Sequence, residues 1–305
     1  VNAQSQRVPS LSSFVSQRAH SPWQTYLGAE RSSAPGHPTV IAFASGKGGV
    51  GKTSLAVNVA VSMARKGARV LCMDADLGLG NVDLLLGMSP ARNVGHVLAG
   101  EAGIEEIVLE SPHGVHLLPA SAGQFDLCNL DDRKRRQLCA AVDTLEDRFD
   151  VLIVDTGAGL TSNAVWFASA ARHVVLVTTP EPTCVMDVLA NVKILARTFA
   201  VRRAHVVSNM VSSPDEGQDV FLRLSSQVSR CTDVVLDYLG AIPTDAAVGR
   251  AVMRGEPVVS CYPDSLAARA VERLADQVWH SPEPDDRHGA IRLFWKKLLQ
   301  QRDSP

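Results

Sequence analysis

Residues 40–54 read VIAFASGKGGVGKTS. An apolar run ends at Ser45. Gly46, Gly48, Gly49 and Gly51 follow, with Lys47 and Val50 among them. Lys52, Thr53 and Ser54 then open a segment of helical composition, LAVNVAVSMARK. Glycines let successive backbone N–H groups turn inward without a side-chain clash, so the loop can cradle phosphate oxygens. The start of the next helix adds partial positive charge. The spacing GxxxxGK[ST] is met by Gly46, Gly51, Lys52 and Thr53. Lys52 can reach the β- and γ-phosphates of a nucleotide, and the Thr53 hydroxyl can ligate Mg²⁺. Lys47 is extra to that spacing: it is either a solvated loop lysine or a second cation for the triphosphate.

Carboxylates complete the chemistry. Phosphoryl transfer to water requires neutralised charge, a held metal and a water placed in line. Asp155 closes the apolar run DVLIVD and, with Thr53, can supply oxygen ligands to Mg²⁺. Asp74 and Asp76 stand in MDAD after a second apolar run. The end of that strand is expected beside the phosphate loop. Either carboxylate could instead cap or turn the chain.

These residues need elements to hold them. Apolar runs predict strands at residues 40–44, 69–73, 114–118, 150–155, 173–178, 204–209 and 234–242. Helices are predicted at 131–149, from 161, and at 181–199, 214–229, 246–254 and 264–279, with short helices over 94–109. The stretch 75–88 reads as a Gly-rich loop. Continuous apolar strands alternating with helices imply an α/β fold, a mostly parallel sheet with helices on both faces. Ligands in such sheets sit at the carboxyl ends of the strands, where the phosphate loop, Asp74, Asp155 and Asn209 fall. The basic cluster at residues 133–136 reads as a solvated helix face.

The chain has 305 residues, a net charge of −2, 46% apolar and 20% charged residues. This suits a globular protein with a full core and gives no global field toward nucleic acid or anionic lipid. Six cysteines are scattered without a CxxC pair, which argues against a disulfide framework or a zinc site. Lacking a secretory signal and a membrane-spanning run, the chain is expected in the cytoplasm. Residues 1–38 read as a mostly disordered arm, 39–280 as the nucleotide-binding domain and 281–288 as a linker. In residues 289–305, Ile291, Phe294, Trp295, Leu298 and Leu299 form one apolar stripe with Arg292, Lys296 and Lys297 off it. This C-terminal amphipathic helix would rest on the inner face of the membrane through residues 289–301 or dock on its own domain.

The loop GKGGVGKT, with Lys47 directly after the first glycine, resembles the deviant phosphate loop of the MinD/ParA ATPases. The stretch DADLGLGNVDLLLG is similar to MinD and its flagellar FlhG/FleN branch, whereas ParA partition proteins tend to carry Pro-Gln after the aspartates. DTGAG, TTPEPT, NMV, EGQDVF and YPDS lie nearer the flagellar branch. The resemblance covers about residues 39–280 and implies a P-loop NTPase fold with ATP and Mg²⁺ as cofactors. It implies slow hydrolysis within an ATP-dependent homodimer, in which Lys47 crosses to the partner's nucleotide. It assigns catalysis to Lys47, Lys52 and Asp76, the last orienting the water, and metal support to Thr53, Asp74 and Asp155. Asn209, Pro243 and Asp245 would face the adenine, although Asn209 could equally cap its strand. Asn81 and Asp187 would lie near the dimer interface.

The same resemblance implies control of flagellar number or placement through a partner. That partner would be an FlhF-like GTPase, a transcription activator or a basal-body component. Flagellar members often carry an N-terminal DQAxxLR motif that stimulates the GTPase. Residues 1–38 hold no match, so that activity is not carried over. Two alternatives stay open: a nucleotide-gated antiactivator, and a partition ATPase binding DNA. DNA is the less expected partner, since residues 133–136 are the one candidate patch.

Overall fold

The computed structural model describes residues 38–120, 127 and 130–281. The arm expected at 1–38, the tail helix and all but the first residue of the linker lie outside these, apart from Pro38 itself. In chain order the elements begin with β1 (Thr39–Ala44), α1 (Lys52–Arg65), β2 (Val70–Ala75), α2 (Val82–Leu85), α3 (Val94–Ala99) and α4 (Ile104–Ile107). Next come β3 (Leu109–Glu110), β4 (Val115–Leu118), α5 (Asp132–Asp143), β5 (Val151–Thr156), α6 (Ser162–Ser169), β6 (His173–Thr178) and α7 (Pro182–Phe199). The chain continues through β7 (Arg203–Val211), α8 (Pro214–Ser229), β8 (Val235–Pro243), α9 (Ala246–Arg254), α10 (Val258–Cys261) and α11 (Leu266–Trp279).

The eight strands form one sheet in the order β3-β4-β2-β5-β1-β6-β7-β8. All neighbours pair in parallel except β3, which is antiparallel to β4 at the edge. The predicted parallel sheet is therefore present, with one reversed edge strand. One placement differs from expectation. The carboxyl end of β2 is not adjacent to the phosphate loop, because β5 pairs with β1 on one side and β2 on the other. The register sets Asp74 opposite Asp155, so the β2 carboxylates approach the loop across β5.

Both faces of the central strands are buried, and side chains alternate between them. In β1, Ile41 and Phe43 point to the layer holding α1 and α11, with Val57, Ala60, Val271 and Leu274. Val40 and Ala42 point to the opposite layer, where Leu138, Val142 and Trp166 of α5 and α6 pack. Val188 and Leu224 of α7 and α8 continue that layer beneath β6 and β7. Burying one such side chain is worth about 1.5–3 kcal/mol, which is why runs of this composition do not remain at the surface.

Helix starts follow their capping residues. Asp131, Thr161, Ser213 and Ser265 accept from the backbone N–H of Lys134, Ala164, Glu216 and Ala268. Pro182 and Pro214 occupy the first turns of α7 and α8.

The basic cluster departs from its expected solvated face. Arg133 and Arg136 are exposed, but Arg135 is buried. It shares the inward face of α5 with Leu138, Cys139 and Val142, at i, i+3, i+4 and i+7. Its guanidinium donates to Asn163 Oδ1 at 3.0 and 3.3 Å and to Ser162 Oγ at 2.9 Å, and lies 5.8 Å over the Trp166 ring. This cluster is no continuous cationic patch.

Candidate nucleotide site

β1 runs directly into the phosphate loop, and three of its glycines have distinct reasons to be there. Gly49 and Gly51 hold φ of 80° and 83°, a conformation other residues rarely adopt. Gly46 is tight for another reason: a Cβ there would lie 2.3 Å from Asp187 Cβ in the first turns of α7. The loop is braced from several sides. Ser45 Oγ donates to the Lys47 carbonyl at 3.0 Å, and the Gly159 N–H donates to the Ser45 carbonyl at 3.0 Å. Asn209 Nδ2 donates to the Val50 carbonyl at 2.7 Å.

Lys52 is buried at the start of α1, with Nζ 2.6 Å from Asp155 Oδ1 and 3.5 Å from Thr53 Oγ1. Cation, carboxylate and hydroxyl thus meet at one point beside the loop. Gly48 and Gly49 are exposed, and among the described residues nothing lies within 4 Å of a Cβ built on Gly49. An open glycine cradle beside an ammonium and a Thr–Asp oxygen pair fits a nucleoside triphosphate with Mg²⁺.

Asp74 is buried. Its Oδ1 accepts the Asp76 N–H and its Oδ2 the Val82 N–H, each at 3.1 Å. A Cβ on Gly80 would lie 2.3 Å from Oδ2, so the turn folds tightly over the carboxylate. Burial, with the Asp155 charge second, pushes its pKa up to about 7. This anchoring of residues 74–82 was not readable from MDAD. Asp76 is half-buried, and burial raises its pKa as well. Its Oδ1 lies 3.5 Å from where a Gly157 Cβ would stand, so it faces the turn that follows Asp155.

The structure buries Lys52 and Asp155 together beside Thr53, sets Asp76 facing the turn after Asp155, and leaves Lys47 exposed on the same loop. Lys47 is exposed, and its Nζ lies 2.8 Å from Glu181 Oε2. The contact raises the lysine pKa and lowers that of the glutamate. Glu181 was not anticipated; the signal was its place just past the end of β6. Asn81 opens α2 and donates to the Leu79 carbonyl at 2.8 Å. Pro243 ends β8 opposite Val211. Asp245 caps α9 through the Ala247 N–H at 2.8 Å and also accepts the Ala267 N–H at 3.1 Å, which hold its pKa below the ordinary range. Asp245 and Asn209 therefore both carry structural hydrogen bonds at the edge where adenine was expected.

A family profile described as an AAA domain matches residues 38–201, and one described as a NUBPL iron-transfer P-loop NTPase matches 134–279. The antiactivator FleN of Pseudomonas aeruginosa is 40% identical, over 87% of this chain and 95% of its own length. The chain belongs to the MinD/ParA family, on its flagellar FlhG/FleN branch. The flagellum site-determining protein YlxH of Helicobacter pylori is 32% identical, over 87% of this chain and 91% of its own. Two solved MinD structures share the fold. That of Pyrococcus furiosus has a TM-score of 0.66 at 28% identity, covering 79% of this chain and 98% of its own. That of Pyrococcus horikoshii, complexed with Mg-ADP, has a TM-score of 0.65 at 28% identity, covering 79% and 96%. As a member of the MinD/ParA family the chain is a P-loop ATPase using ATP and Mg²⁺. Among the described residues no helix is long and apolar enough to cross a membrane.

Proposed function

We propose that this ATPase is a dimerisation switch that regulates flagellar number or placement. The observation that supports it is the composition of the rim. Lys47 is exposed there together with Leu79, Leu160, Met186 and Met210, which are 73%, 46%, 54% and 45% exposed. Leu79, Leu160 and Met186 belong to the segments that follow β2, β5 and β6, and Met210 stands near the carboxyl end of β7. A cation surrounded by exposed apolar side chains suits a face that a second copy covers.

Each residue then has a task. The loop from Gly46 to Ser54 and Lys52 bind the phosphates, and Thr53 and Asp155 hold Mg²⁺, which when bound neutralises charge on the β- and γ-oxygens. Asp74 keeps residues 74–82 in place, and Asp76 orients the attacking water. Lys47 leaves Glu181 and reaches the partner's nucleotide. Turnover is slow because this cation comes from a second subunit. Asn209, Pro243 and Asp245 border the adenine. Residues 39–280 form the ATPase domain; 1–38 and 281–288 are an arm and a linker. Residues 289–301 give the dimer a weak, doubled hold on the membrane. The flagellar reading rests on the likeness to FleN and YlxH, and its partner is a flagellar GTPase, transcription activator or basal-body component.

Lys47→Ala tests the switch. Nucleotide binding to the monomer should stay within about twofold of the parent, because Lys52 and the loop amides remain. The dimer seen by sedimentation with Mg-ATP should disappear. A variant that dimerises normally overturns the crossing role. The FleN likeness favours a second reading, a nucleotide-gated antiactivator in which turnover is incidental. Asp76→Ala separates the two. If cells carrying a hydrolysis-dead protein keep normal flagellation, the binding module stands and the cycling switch does not.

A further inference from the structure

We propose that the groove along α9 is a docking surface for an acidic amphipathic helix of a partner protein. Ala246, Gly249, Arg250, Met253 and Arg254 fall at i, i+3, i+4, i+7 and i+8, so they form one stripe along the helix. With Tyr262 they line an open groove of about 460 Å³. Met253 is 88% exposed, and Leu266 is 67% exposed at the start of α11, beside the Ala267 N–H that Asp245 holds against α9. Exposed methionine adapts its shape to an incoming apolar surface.

Gly249 carries the argument that something outside the domain belongs here. It sits in the middle of a helix, where glycine costs about 1 kcal/mol relative to alanine. Its φ is not positive, and among the described residues a Cβ built on it meets nothing within 4 Å. Nothing among the described residues requires a glycine at this place. Together with Ala246 it leaves the first two turns of α9 bare, which lets the backbone of a second helix approach closely.

Charge selects the occupant. Arg250 stacks over the Tyr262 ring with Cζ 5.1 Å from its centroid; the Asp245 carboxylate that feels its charge is engaged by the Ala247 and Ala267 N–H groups, and among the described residues no carboxylate forms an ion pair with Arg250. Arg254 has Glu256 at 3.7 Å, both on the surface. The two guanidinium groups stand one turn apart, so they match two carboxylates one turn apart on a facing helix. The tail at residues 289–305 carries Arg292, Lys296 and Lys297, the same sign as the groove, and is a poor occupant. The nine residues of α9 span about 13 Å, enough for two to three turns of a partner helix.

The test uses two labelled peptides of about 16 residues, helical by design. Both carry leucine at i, i+3, i+4 and i+7. One places glutamates at i, i+4 beside the leucines, and the other has lysines there. Fluorescence anisotropy is read against the full chain. The acidic peptide should bind at least about tenfold tighter than the basic one. Arg250→Glu with Arg254→Glu should reverse that preference, and Met253→Asp should weaken the acidic peptide about fivefold or more. ATP hydrolysis should be unchanged in these variants, which reports on folding. Equal binding of the two peptides, or a preference that survives the double charge reversal, overturns the proposal. So does tighter binding of a peptide of residues 289–305. Loss of pelleting with anionic vesicles in the double variant, without acidic-peptide binding, would assign the groove to a membrane instead. Self-association abolished by Met253→Asp would assign it to a second copy.

Discussion

Asn209 shows how a single amide decides between two jobs. Its Nδ2 donates to the Val50 carbonyl, and a Cβ on Gly51 would lie 2.4 Å from that nitrogen. The side chain thus fills the space beneath the phosphate loop that glycine leaves open. Asn209→Ala removes the donor and leaves a carbonyl without its partner, a loss of about 1–3 kcal/mol in a buried setting. If Asn209 acts by bracing the loop, ATP and GTP affinities should fall by the same factor. If it reads adenine, discrimination between the two should collapse while GTP affinity holds. Titration of both nucleotides against the variant distinguishes the outcomes. The loop itself was readable from residue types, since GxxxxGK[ST] has one dominant chemistry. The brace was not, because Asn209 and Val50 are 159 residues apart and no local pattern joins them. The same holds for Lys47 and Glu181, and for the tight contact of Gly46 with Asp187.

At the scale of elements, most boundaries followed from apolar periods and caps. The strand at His173–Thr178 and the helices Pro214–Ser229 and Ala246–Arg254 match their predicted limits. The missed pieces are short. α2 and α10 have four residues each, barely one turn, and a turn that short shows no period. Their order comes from tertiary contacts instead: the Val82 N–H lies on Asp74, and the Val259 N–H donates to Asn58 Oδ1 at 3.1 Å. Asp245 is the joint of this region, since one carboxylate starts α9 and pins the start of α11. Asp245→Ala should lower unfolding stability by about 1–2 kcal/mol. Asp245→Asn should cost less, because its carbonyl keeps the Ala247 cap while its amide nitrogen cannot accept from Ala267. Urea unfolding of the two variants checks the ranking, and equal losses would place the whole effect on the Ala267 contact at the start of α11.

For the whole molecule, seven apolar runs announced a parallel sheet, but their composition could not order them. That β5 enters between β1 and β2 is decided by which crossover helices cover which face, and it is what sets Asp74 beside Asp155. The same stacking of strands buries a histidine pair. His173 Nδ1 lies 3.1 Å from His205 Nε2, with both side chains nearly inaccessible. Asp237 Oδ2 is 3.8 Å from His205 Nδ1 but is engaged by Arg203 Nε at 2.5 Å, and Arg172 adds a further positive charge. Burial holds His173 down to about 3 and lowers His205. Folded pKa values below the unfolded value of about 6.5 mean that the unfolded chain takes up protons first as pH falls. Stability from this pair is therefore complete above about pH 6.5 and drains as pH drops toward the folded values. Urea unfolding between pH 6.5 and 4 should show stability falling by up to about 1.4 kcal/mol per pH unit for each histidine. Replacing both with asparagine should flatten that slope while leaving nucleotide binding intact, since the pair lies outside the phosphate loop and its braces. An unchanged slope in the double variant would move the acid sensitivity of the fold away from this pair.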